Sequence, residues 1–155
     1  MDNSKAAYVC GPLTELPPEI QRAAKRLYIR IADICGKVIG ERGFVPHEHY
    51  DPVEHPFFSP QDVDRKERRQ IYEKTSVLVV VAIASSWGGG IEVEMANTKG
   101  IPIIVLSEAG KRVSRLLLGN PSVVAHIVYD SQKNALSQLE EELLRLFPRE
   151  AQQSS

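Results

Sequence analysis

Short apolar runs alternate with amphipathic stretches along the chain, and that alternation sets the expected architecture. Ala6–Cys10 reads as a first strand, closed by the turn pair Gly11-Pro12. Pro17-Pro18 opens a long helix in which Ile20, Ala24, Leu27, Ile31, Ile34 and Val38 recur every three or four residues and so share one face. Gly43 is expected to end it, ahead of a short second strand at residues 44–46. Residues 47–59 fit neither period and read as a loop. Ser59, Pro60 and Asp62 have the layout of a helix start: a hydroxyl cap, a proline in the first turn, then an acid. That helix runs to about Lys74. Residues 77–83 are almost wholly apolar and β-branched, as a central parallel strand buried on both faces should be. The loop SSWGGG, residues 85–90, leads to a helix at about 91–98, which Gly100 stops. Residues 101–106 form the next strand, 110–118 a further helix and Val123–Tyr129 the last strand. Leu136, Leu139, Leu143 and Leu146 mark one stripe of a final helix.

Five strands alternating with five helices predict a single α/β domain over residues 1–147. It is an open five-stranded parallel sheet with helices on both faces, in the flavodoxin or Rossmann manner. Residues 148–155 form a polar tail that is expected to fray. Sheets of this kind bind ligands beyond the carboxyl ends of their strands, near a switch point. The candidate loops are therefore 11–16, 47–59 and 85–90.

Composition narrows the classes of function. The chain has 155 residues, 43% of them hydrophobic and 25% charged, and 19 basic against 20 acidic side chains leave a net charge of −1. No overall field would hold nucleic acid or an anionic membrane. The longest apolar run, residues 77–84, is far short of the ~20 residues a membrane helix needs. The N-terminus lacks the basic-then-apolar layout of a signal peptide, so a cytoplasmic protein is expected. Cys10 and Cys35 each sit among apolar residues, which argues against both a disulfide framework and a thiolate metal site. His47, His49 and His55, with Glu48, Asp51 and Glu54, match no standard ligand spacing. Neither a metal nor another cofactor is expected.

The segment WGGGIEVEMA, residues 87–96, carries the most chemistry. Three successive glycines after a buried strand let backbone approach a ligand closely, and the N–H groups of a helix start suit phosphate. Glu92 and Glu94 follow, where an acid either complements the helix dipole or serves catalysis. G-x-G-x-x-G is absent, so this is not the dinucleotide fingerprint. Four landmarks in order, YVCGPLT (8–14), SVLVVVA (76–82), GGIEVEMA (89–96) and GIPIIVL (100–106), together resemble the nucleoside 2-deoxyribosyltransferase superfamily. Within it, the likeness is to the 2′-deoxynucleoside 5′-monophosphate N-hydrolases. It covers about residues 8–147, including VYD at 128–130 and the final helix.

The resemblance implies an enzyme that cleaves the N-glycosidic bond of a nucleoside or nucleoside 5′-monophosphate, by hydrolysis or by transfer to a second base. It puts the family nucleophile on Glu94, which attacks C1′, expels the base and forms a glycosyl-enzyme. Glu92 is then a supporting acid or a change to the pocket. Gly11 and Pro12 line the sugar and base, and His49 matches a loop histidine that orients or protonates the leaving base. A family Asp falls on Arg68, so the adjacent Glu67, or Asp64 one turn earlier, stands as the candidate for its role. A phosphate-binding serine falls on Gly88, with Ser85 and Ser86 close by and Gly89 and Gly90 completing the loop. A second phosphate contact, given by a neighbouring subunit in the family, falls near Ser114-Arg115. Trp87 either stacks on the base or packs against the protein. The run Arg65, Lys66, Arg68, Arg69 is either a solvated helix face or a source of phosphate contacts. The expected partners are a small-molecule nucleoside or nucleotide and further copies of the chain, as a dimer or a dimer of dimers. Leu116–Leu118 support the second, because three consecutive leucines on a helix cannot all face one core. Two other readings stay open: a non-catalytic nucleotide-binding or signalling module, and a TIR-like NAD hydrolase.

Overall fold

The computed structural model describes residues 4–149; residues 1–3 and 150–155, the latter most of the expected polar tail, lie outside the described part. Its elements in order are β1 (Ala6–Cys10), α1 (Pro18–Ile39), α2 (His47–Tyr50), α3 (Pro60–Lys74), β2 (Thr75–Val81), α4 (Trp87–Thr98), β3 (Ile103–Glu108), α5 (Arg115–Leu118), β4 (Val123–Tyr129) and α6 (Gln132–Leu146). The strands make one parallel sheet in the order β1-β2-β3-β4.

Four strands stand where five were expected. Residues 44–46 do reach the free edge of β1: Phe44 N donates to Ala7 O at 2.8 Å, and Val9 N donates to Phe44 O at 2.9 Å. Pairing stops at that single bridge between Tyr8 and Phe44. Pro46 has no N–H to extend the ladder. Gly43 is tied down on the other side, because a Cβ there would lie 3.0 Å from the Ala32 Cα of α1. The chain thus leaves β1 towards one edge and returns on its opposite side as β2. That reversal opens a crevice at the carboxyl ends of β1 and β2.

Alternation along the strands sends side chains to two cores. Ala7, Val9, Val77, Val79, Val81, Ile104 and Leu106 pack with Leu27 and Ile31 of α1 and Leu139 and Leu143 of α6. Tyr8, Cys10, Leu78, Val80, Ile103 and Val105 pack with Ile71 of α3 and Val93, Met95 and Ala96 of α4. The two residues of β1 that carry chemistry, Tyr8 and Cys10, therefore face α3 and α4.

Several element ends differ from expectation, each for a local reason. α1 stops at Ile39 because Gly40 adopts φ 100°, a left-handed cap, three residues before Gly43. Residues 47–50 form one helical turn inside the expected loop. α4 begins at Trp87 instead of about residue 91, because Ser86 Oγ accepts from Gly89 N at 3.1 Å and caps it. The three glycines consequently lie in the first turn of the helix. The helix expected at 110–118 shrinks to the four residues of α5, capped by Ser114. At α3 the expected start holds, with Ser59 and Asp62 closing a reciprocal capping box. No helix among the described residues is long and apolar enough to cross a membrane.

Leu139, fully buried between α6, α1 and the sheet, is a sensitive probe of this packing. Leu139→Ala is expected to cost about 2–5 kcal/mol, read as a lower urea midpoint with an unchanged slope. A change below ~1 kcal/mol would contradict the α1–α6 core.

Candidate active site

Glu92 enters the core by helical spacing. It lies three and four residues before Met95 and Ala96 on the face of α4 that meets α3 and the sheet. On α3, Glu67 lies one turn before Ile71, the buried residue of that helix. These two stripes bring the carboxyls together. Glu92 is 8% exposed, and Tyr8, fully buried, donates its hydroxyl to Glu92 Oε1 at 3.2 Å. Cys10 sits beneath the same helix start, its Sγ 3.7 Å from Gly89 O. A Cβ on Gly89 would lie 3.4 Å from that sulfur, in ordinary contact with it.

Burial pushes the pKa of Glu92 above the ordinary range, while hydrogen bonds from Cys10, Tyr8 and Glu67 favour its anion. Glu67 is raised as well, by burial first and then by the negative charge of Glu92. Burial also keeps the Tyr8 hydroxyl and Cys10 thiol protonated, hence donors. Tyr8 donates to Glu92, and the interaction of the two carboxyls raises Glu67 while it favours the Glu92 anion, so the shared proton belongs on Glu67 and the charge on Glu92. A carboxylate beside a carboxylic acid can attack an acetal-like carbon and protonate the group that leaves it.

The pair opens onto a cleft of about 380 Å³, walled by Glu67, Gly88, Ile91 and Glu92 on one side and by Tyr50, Pro52, His55 and Phe58 on the other. The second wall belongs to residues 47–59 and is firmly tied. Asp51, 4% exposed, pairs with Lys25 of α1 and accepts from Val53 N at 2.9 Å; its backbone oxygen accepts from His55 N at 2.7 Å. Burial opposes the Asp51 anion, yet the hydrogen bond from Lys25, backed by Val53 N, holds its pKa below the ordinary value. Tyr50 and Phe58 meet edge to face at 5.3 Å.

A second cavity, about 780 Å³, lies across the start of α4. Gly11, Pro12, Ser85, Ser86, Gly89, Gly90, Glu94, Arg112, Ser114 and Arg115 line it. Glu94 is exposed and bonded to Asn97 at 3.2 Å and Asn120 at 3.3 Å, on the far side of α4 from Glu92. Residues two apart on a helix point in nearly opposite directions. Ser86 and Ser114 spend their oxygens on helix caps. Tyr28 supports the Gly11-Pro12 turn, its hydroxyl donating to Pro12 O at 2.6 Å and its ring occupying the space of a Gly11 side chain.

The remaining sequence candidates sit elsewhere or are engaged. His49 stacks on Phe44 at 4.6 Å and borders a separate surface pocket. Asp64 touches the cleft but is bonded to Arg68 at 2.9 Å, which holds its pKa down and makes it an anion. Arg68 is committed to that pair and to Tyr72. Along the same helix Arg65 pairs with Asp62 and Arg69 with Glu73. Trp87 is 89% exposed. Among the described residues, no three His, Cys, Asp or Glu side chains gather closely enough to hold a metal. Sequence reasoning passed over Tyr8, Tyr50, His55 and Phe58 as site residues. For Tyr8 a signal existed, since strand alternation sets it on the same face as Cys10. The cleft face of residues 50–58 has no periodic signal to find.

No family model matches the sequence, and no curated protein matches it. Solved structures match the fold. A CMP N-glycosidase of Clostridium botulinum, BcmB, aligns with a TM-score of 0.62 and 18% identity, over 89% of this chain and 99% of its own. The solution structure of BlsM aligns with a TM-score of 0.68 and 17% identity, over 97% and 98%. A 2-deoxyribosyltransferase from Bacillus psychrosaccharolyticus gives 0.59 and 17%, over 86% and 94%.

The carboxyl pair has a thermodynamic signature. Glu67 ordinarily titrates at 4.5 and is held above that value in the folded chain. As pH rises past 4.5 the unfolded chain ionises first, so this group lowers stability progressively towards neutrality. Glu67→Gln carries no titrating proton and should flatten that decline, measured as urea midpoints from about pH 4 to about pH 8. An equally steep decline in the variant would refute the raised pKa.

Proposed function

On the premise of a nucleoside 2-deoxyribosyltransferase-like fold, we propose that this protein cleaves the N-glycosidic bond of a nucleoside or nucleoside 5′-monophosphate. The observation that carries the reading is the buried pair of Glu92, served by the Tyr8 hydroxyl, and Glu67, on the wall of one cleft. Two of the matched structures are named as an N-glycosidase and a deoxyribosyltransferase, which supports the same chemistry.

Glu92 is the nucleophile. Its carboxylate oxygen attacks C1′ while the C1′–N bond breaks; the bonding pair leaves with the base, and the proton of Glu67 goes to that base. Glu67, now a carboxylate, takes a proton from water whose oxygen attacks C1′. The ester bond to Glu92 breaks, and both carboxyls return to their starting states. A second base in place of water gives transfer with the same residues.

Glu92 takes this role in preference to Glu94 because its carboxylate is desolvated and faces a proton donor, whereas Glu94 is exposed between two amides. Glu67 serves as the acid in preference to Asp64 because burial raises the one and Arg68 depresses the other. A 5′-phosphate would lie in the larger cavity beside the start of α4, where Arg112 and Arg115 border it. The chain works as a homo-oligomer: Leu116 is 88% exposed, beside half-buried Leu117 and Leu118.

Glu92→Gln should lower base release on the order of 10²-fold or more, followed by chromatography over a panel of nucleosides and their 5′-monophosphates. Activity that survives in Glu92→Gln but vanishes in Glu94→Gln would return the nucleophile to Glu94, and no base release by the wild type would sink the reading. Light scattering on the eluting protein should give a mass at least twice the 17.3 kDa of the chain. A 17.3 kDa species with full turnover would refute the oligomer.

A further inference from the structure

We infer that His55 selects the leaving base, and that the cleft takes a base with an exocyclic amine beside a ring-nitrogen acceptor. The inference rests on the proposed glycosidic cleavage only for the role of Glu67. His55 lines the same cleft as Glu67 and Glu92. Its Nε2 lies 3.1 Å from the backbone oxygen of Glu48. A carbonyl oxygen can only accept, so Nε2 must carry the hydrogen. In the neutral ring this leaves Nδ1 as the one nitrogen open to a ligand, and as an acceptor.

The position of the ring is held by more than that bond. The backbone N–H of His55 donates to Asp51 O at 2.7 Å, and Asp51 is itself anchored by Lys25. His55 and Phe58 also adjoin, with ring centroids 6.5 Å apart. A ring fixed from two sides presents the same face to every ligand.

Among the polar groups that line the cleft, protonated Glu67 can donate to a base and His55 Nδ1 can accept from it. The complementary edge is an acceptor next to a donor. Adenine presents it as N7 beside the 6-amino group, and cytosine as N3 beside the 4-amino group. In hypoxanthine and uracil a carbonyl replaces the amine, setting a lone pair against Nδ1. In uracil N3 also carries a hydrogen that opposes the proton on Glu67. The preference is for amino over oxo bases, and protonation of the ring nitrogen is the same event that makes the base a leaving group.

Free bases test this without turnover. Adenine, hypoxanthine, cytosine and uracil are titrated calorimetrically into the wild type and into His55→Phe. At least one amino base should bind the wild type about tenfold or more tightly than its oxo partner, since the oxo base sets a lone pair against His55 Nδ1 in place of a hydrogen bond. In His55→Phe that ratio should fall to within about twofold, with binding of the oxo base retained as proof of an intact cleft. Equal binding within both pairs, an unchanged ratio in His55→Phe, or no binding of any of the four bases would overturn the inference. A His55-dependent preference without base release from any nucleotide would remove the catalytic reading and leave the base subsite standing.

Discussion

A carboxylate can stay buried only where donors replace the water it has lost, and the placement of Glu92 makes that the governing constraint of this molecule. Tyr8 meets it from β1 and Glu67 from α3, with Cys10 beneath. Three elements that are distant in sequence must therefore dock correctly around one side chain. The start of α4 lies directly over β1, with Cys10 Sγ 3.7 Å from Gly89 O. Holding a proton on Glu67 and a charge on Glu92 works against folding near neutral pH, a cost the two apolar cores offset.

The opposite wall of the cleft is built by different physics. Residues 51–58 have little regular structure, yet Asp51 gathers Lys25, Val53 N and, through its own carbonyl, His55 N into one buried knot. A charge pair of this kind costs desolvation, but its hydrogen bonds define one loop conformation. Breaking it from one side would leave an unpaired charge under α1. The aromatic and imidazole rings of the cleft inherit their positions from that knot. His49, only six residues before His55, is diverted onto Phe44 and away from the reacting groups.

The reversal between β1 and β2 brings the two walls together. Because the chain crosses to the Phe44 edge before returning as β2, the loop of residues 47–59 lies next to the start of α4. The single bridge at Phe44 suffices for that, although it is too short to count as a strand. The larger cavity, on the other flank of α4, borders the same glycine turn, so one helix start serves both spaces.

Much of the architecture was legible in the chain because it rests on local periodicity. The parallel α/β order, the buried strand around residues 77–83, the capping box at Ser59 and the leucine stripe of α6 follow from side-chain period and cap chemistry alone. The glycine-rich turn and the two glutamates after it were also visible as the place for chemistry. Which glutamate is buried was not, since that depends on which face of α4 packs against α3 and the sheet. The choice between Glu67 and Asp64 depended on Arg68, the diversion of His49 on Phe44, and the placing of His55 on Glu48 O. Those are contacts between side chains and backbone that no spacing rule encodes. Sequence determined which surfaces had to be apolar; only tertiary packing decided which polar groups were taken from water together, because desolvation acts on neighbours in space and not along the chain.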